Sequence, residues 1–220
     1  MEIVQTQIAL FFRNQFEGAF EELALRVKNK FIGAQSQYLP IPPNAPPEIP
    51  RLMLSSTSMN LNFSKNRVDI FFTTPDGMEN FTKDILSIID QYEIVVDRIG
   101  FVQKRFFETT IDTLLALITE DRRVATAKEL NIKINVSKQI GAYMCNNIES
   151  LIFAFLTKLE AGGPVNKQGV LIERDINTLN ENRLDYRFKA DNISEIIGLM
   201  KAEAATQILL PQQEAEANGD

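Results

Sequence analysis

The chain has no histidine and no tryptophan, and a single cysteine, Cys145, among its 220 residues. Without imidazole, no side chain has an unperturbed pKa near neutrality. Ser-His and Cys-His nucleophile pairs and histidine metal ligands are therefore closed to the chain on its own. One cysteine forms no intramolecular disulfide, and Cys145 reads as a small buried apolar residue, not a nucleophile. Positive charge is also short: 23 Lys and Arg against 29 Asp and Glu leave a net charge of -6. Such a balance argues against a general polyanion binder, because neutralised phosphates supply most non-specific affinity for nucleic acid. No apolar run reaches the roughly 18 residues of a membrane helix. The opening MEIVQTQIALFF lacks a basic segment ahead of its apolar residues. A cytoplasmic protein with no membrane association is expected.

What remains is a chain with 45% hydrophobic residues, enough to bury a substantial core. Residues 3–13 read as a strand. Phe16, Phe20, Leu23, Val27 and Phe31 recur at helical spacing and require a surface to cover them. LMLSSTSMNLNF alternates apolar and polar, SKN has turn chemistry and RVDIFF resumes the alternation, so 53–73 is predicted to be a β-hairpin. Its polar face offers an edge for strand addition. Asp76 and Glu79 have capping-box spacing ahead of a helix through Tyr92, and VVDRIGFVQKRFFE reads as a long strand with a bend or bulge at Gly100.

The order strand, helix, strand, strand, helix, strand predicts a ferredoxin-like (split βαβ) unit over residues 1–108. Within it, six of the nine prolines lie in LPIPPNAPPEIPRL, and residues 39–50 form a rigid crossover. Residues 109–210 read as a second α+β half continuous with the first. A helix capped by Thr110 is followed by about four antiparallel strands and a closing helix behind Asn192. The strands are placed at ELNIKINVSKQI, at 142–156 with a break near Asn146 and Asn147, at VLIERDI and at LDYRFKA. AGGPVNKQG (161–169) reads as a loop and 211–220 as a disordered tail. The expected class is α+β, with antiparallel sheets and helices packed on one face.

With histidine missing, carboxylates come first. Glu173 and Asp175 share one side of a strand and would hold a divalent cation if Asp69 or Asp97 joined them, as in a metal-dependent phosphodiesterase. The pairs Glu181/Arg183 and Asp185/Arg187 have nuclease-like spacing but carry arginine where lysine would be needed. Phe101, Lys104, Arg105 and Phe106 interleave rings and cations in the manner of a sheet-based platform for single-stranded nucleic acid, with Arg122, Arg123 and Lys128 extending a basic patch. Pro43 and Pro46 have PxxP spacing, and Asn60 and Asn62 lie on the polar strand face. These four are the candidates for contact with a protein partner. No cofactor is expected, since the glycines at 162, 163 and 169 lack the GK[ST] ending of a phosphate loop. The favoured reading is a non-enzymatic protein that binds another protein or its own copies, as a regulator, inhibitor or assembly component. The metal-dependent phosphodiesterase and the nucleic-acid binder are the alternatives.

Overall fold

Alternation along the strands decides which face of the sheet the helices cover. In the computed structural model, residues 2–74, 76–118, 129–160, 162–179 and 186–206 are described. The elements are β1 (Glu2–Phe12), α1 (Phe20–Lys30), β2 (Gln35–Tyr38), β3 (Leu52–Ser55), β4 (Met59–Phe63), β5 (Arg67–Phe72), α2 (Met78–Ile89), β6 (Val96–Glu108), α3 (Ile111–Ile118), β7 (Asn131–Ile140), β8 (Tyr143–Glu160), β9 (Gly163–Thr178) and α4 (Ile193–Ala205). All nine strands join one antiparallel sheet in the order β2-β3-β4-β5-β1-β6-β9-β8-β7. Nine strands at about 4.8 Å spacing make a sheet roughly 38 Å wide.

Directly opposed residues point to the same face, so the register traces each face across the sheet. Leu54, Leu61, Ile70, Ile8, Phe101 and Ile176 form one such row. All are buried, together with Phe20, Leu23 and Val27 of α1, Ile85, Leu86 and Ile89 of α2, and Ile193, Ile196, Ile197 and Met200 of α4. Phe16, just ahead of α1, packs its ring on Phe20, Phe63 and Tyr92 at 4.8 to 5.7 Å. A second cluster on the same face joins Leu114 of α3 to Leu151, Val170 and Ile172. Every described helix thus covers one face, and none covers the other.

The expected ferredoxin-like half with a second α+β half behind it is overturned. There is a single large sheet: the far side of β6 pairs with β9 from Gly100–Asn177 to Glu108–Gly169, while β4, β3 and β2 extend the side of β5. Element order is a local property, whereas what occupies the second edge of β6 is set by pairing with residues more than 60 positions away.

Several local readings also change. A turn at 56–58, closed by Ser56 N–H to the Met59 carbonyl at 2.9 Å, splits the expected first hairpin strand. Its strands β3, β4 and β5 lie inside the sheet, so the hairpin offers no edge. Gly100 pairs regularly with Ala9 and Asn177, and the irregularities in β1 and β6 fall at Ile3/Gln5 and Phe11/Phe12. β8 runs unbroken through Asn146 and Asn147, the described part of LDYRFKA (186–190) contributes only the bridge of Phe188 to Val96, and residues 163–168 are strand, not loop. The cap from Asp76 is not made: Gly77, at φ +73°, precedes α2 without a side-chain bond, whereas the Thr110 hydroxyl does accept the Thr113 N–H at 3.2 Å. The proline stretch connects β2 to β3. It is held by Leu39 N–H to the Arg51 carbonyl, by Lys65 N–H to the Pro47 carbonyl, and by buried Arg51 donating to the Ile41 and Ala45 carbonyls. The predicted tail at 211–220 lies outside the described residues.

Candidate functional site

The face without helices carries most of the residues with candidate chemistry. One row across it reads Asn62, Asp69, Ala9, Gly100, Asn177, Asn146, Ser137. Asn60 is exposed on β4 and accepts the Ser55 hydroxyl at 2.7 Å, and Asn62 is half-buried beside it. Pro43 and Pro46 are exposed in the loop between β2 and β3.

Glu173 and Asp175 do share this face, but each is engaged. Lys104 Nζ lies 3.1 Å from Glu173, and the Asn177 amide donates to Asp175 at 2.6 Å. Burial pushes the Asp175 carboxyl above its ordinary range, an effect that the Asn177 bond offsets in part. Asp69 lies three strands away, about 14 Å in the pairing direction. It is held by Arg67 at 2.8 Å and Gln7 at 3.1 Å, and burial raises its pKa too. Asp97 pairs with Arg13 at 3.2 Å. Among the described residues, no three acidic or thiol groups converge on a common point. Glu181, Arg183 and Asp185 lie outside the described residues, as do Arg122, Arg123 and Lys128.

The four residues expected to form a stacking platform divide between the two faces. Phe101 and Arg105 point to the helix side, Phe101 fully buried, while Lys104 and Phe106 point to the other, Phe106 buried and Lys104 bound to Glu173. Buried Cys145 lies on the helix side, and loss of hydration pushes its thiol up to about 11, far from a thiolate at neutral pH.

Between the two apolar clusters on the helix side runs a buried polar belt. Arg174 and Glu149, each with a side chain 1% exposed, are paired at 2.6 Å. Arg174 also donates to Asn147 at 2.8 Å and to the Thr206 carbonyl at 2.7 Å. Asn147 and Lys138 hold the Glu203 carboxylate at 2.7 and 2.8 Å, and Arg105 donates to Gln103 and to the Ala205 carbonyl. Burial, followed by the nearby Arg174 charge, lowers the Arg105 pKa. These groups take up orphan carbonyls at the C-terminal end of α4, where cations are favoured. The belt is a clamp that seats α4.

The same two strands carry a different feature at their other end. β7 stops with Asn131 opposite Ile152, and β6 stops with Glu108 opposite Gly169, yet β8 and β9 continue to Glu160–Gly163. The Gln168 carbonyl still accepts the Thr109 N–H at 3.3 Å, and from Leu156–Lys167 outward the two strands, among the described residues, pair only with each other, as a ribbon about 17 Å long. Phe155 is 69% exposed, Leu159 88% and Val165 38%. The ribbon's cations are neutralised from the body, Lys158 by Glu2 and Lys167 by Glu108. At its base a side chain on Gly169 would collide with the Phe107 carbonyl oxygen, so the close approach of β9 to the end of β6 requires glycine there. Sequence reasoning missed Phe155, Leu159 and Val165. The alternation in FAFLTKLE signalled them, but Pro164 beside two glycines pointed to a loop. No protein-family model matches the chain, and no curated protein sequence matches it.

Proposed function

We propose that the protein is a non-catalytic assembly component that binds another protein through the projecting β8–β9 ribbon. The observation that carries this reading is the exposure of Phe155, Leu159 and Val165 on a ribbon that, among the described residues, has no neighbouring strand to cover it. An isolated two-stranded ribbon is marginal in water, and Phe155, Leu159 and Val165 lie outside both buried apolar clusters of the described residues, Phe155 touching only their margin through the Phe153 ring at 6.4 Å. Burying Phe155 and Leu159 in a partner's apolar groove is worth about 1.5–3 kcal/mol each, and the ribbon's backbone edges, without a strand beside them among the described residues, add strand pairing. Because Lys158 and Lys167 are matched within the chain, neither lysine is left to draw phosphate or anionic lipid, and the exposed Phe155 and Leu159 select apolar surface. The bland alternative, a long hairpin with no partner, leaves that exposed area unexplained.

The test is affinity co-purification from the source cells, comparing the native chain with a Phe155→Ser/Leu159→Ser double variant. A protein retained at a stoichiometric level by the native chain and lost from an equally folded variant is expected. Equal retention by both rules out the ribbon.

A further inference from the structure

We infer that two copies of the chain pair through β7, edge to edge across a two-fold axis, independently of the ribbon. Among the described residues β7 has a strand on one side only, and Asn135, Val136, Ser137, Lys138 and Gln139 are all exposed. The number of strands restricts how such an edge is completed. With nine strands, each antiparallel to its neighbour, the two edge strands β2 and β7 run in the same direction. Head-to-tail stacking would therefore pair β7 with β2 in parallel, whereas a two-fold axis perpendicular to the sheet pairs β7 with its own copy antiparallel, the more stable ladder. β2 is four residues long and β7 ten, so β7 offers the longer ladder.

Side-chain placement fits the second copy. Opposed residues in this dimer share a face, so the numbers in each pair are both odd or both even. Lysines on an edge ordinarily block pairing. Here Lys133 and Lys138 lie on opposite faces and never oppose each other, and Lys138 is drawn to Glu203 at 2.8 Å. Centred on Ile134, the ladder runs from Asn131 against Ser137 to its symmetry equivalent. Ile134 meets its own copy, Ile132 meets Val136 twice on the helix side, and Lys133 meets Asn135 on the other. Val136, 40% exposed in the monomer, gains a cover.

Asn135 gives two substitutions of opposite sign at an exposed position. Asn135→Lys places like charges opposite Lys133 at two symmetric points, and Asn135→Glu places opposite charges there. Sedimentation equilibrium from about 1 to 200 µM spans the range in which so small an interface dissociates. The native chain is expected to dimerise reversibly. Asn135→Lys should weaken the dimer and Asn135→Glu tighten it, each by about threefold to tenfold, with melting of the monomer unchanged. Phe155→Ser should leave the dimer intact, which separates this interface from the ribbon. A native chain that stays monomeric throughout, or a dimer indifferent to both Asn135 variants, overturns the proposal.

Discussion

Strands β8 and β9 are one continuous hairpin with two unlike ends. At one end, around Arg174, side chains are closed off by α4 and a buried network of charges and amides. At the other, beyond Phe155–Gln168, the same two strands have no neighbouring strand among the described residues and display phenylalanine and leucine to water. The bonding of β8 to β9 is the same at both ends, so their mutual pairing does not explain the difference. What differs is whether the fold supplies a covering layer. Residues that hold the fold together and the residues proposed to meet a partner are therefore separated along one hairpin, and they should respond to substitution in different ways.

The largest effect belongs to the covered end. Arg174→Ala leaves Glu149 buried without its partner and frees carbonyls at the end of α4, and should cost about 3–5 kcal/mol in chemical denaturation. A loss below about 1 kcal/mol would mean that the belt does not seat the helix. At the bare end, Phe155→Ser/Leu159→Ser should change stability by less than about 0.5 kcal/mol. A large loss there would show that the ribbon packs on the body and erase the contrast between the ends.

The smallest effect concerns Asp175, on the open face. Its pKa is raised in the folded state by burial, so the folded protein binds that proton more tightly than the unfolded chain does. The resulting stabilisation is fully present below the unfolded pKa and is lost as pH rises through the folded one. Asp175→Asn should therefore melt above the native chain at pH 7 and match it at about pH 3, as read by thermal scans. A variant that melts lower at pH 7 would show that the carboxylate's bond with Asn177 outweighs its burial.

Much of this contrast was not legible from residue order. Periodicity located α1, α2, α4 and most strands correctly, because Phe16, Leu23, Ile85 or Ile196 must face a core whatever the topology. The strand order was hidden, since β6 carries the same alternation whether its far edge is free or paired to β9. Gln35–Tyr38 is short, polar and exposed, with no pattern to mark it as a strand. Arg174 looks in sequence like any arginine in an alternating segment, and only the pairing that places Glu149 beside it shows why it is buried. The ribbon was lost for a different reason. Pro164 is compatible with a strand when no neighbour needs its missing N–H, and whether a neighbour exists is a property of the sheet.

The central claim is that the ribbon serves binding and not folding. It is tested most directly by excising residues 155–168, joining Ala154 to Gly169 through an Asn-Gly turn, and measuring thermal unfolding alongside partner retention. A shortened chain that unfolds cooperatively within about 4 °C of the native one, with no retained partner, is the predicted result. A chain that no longer folds, or one that keeps its partner, would contradict the account.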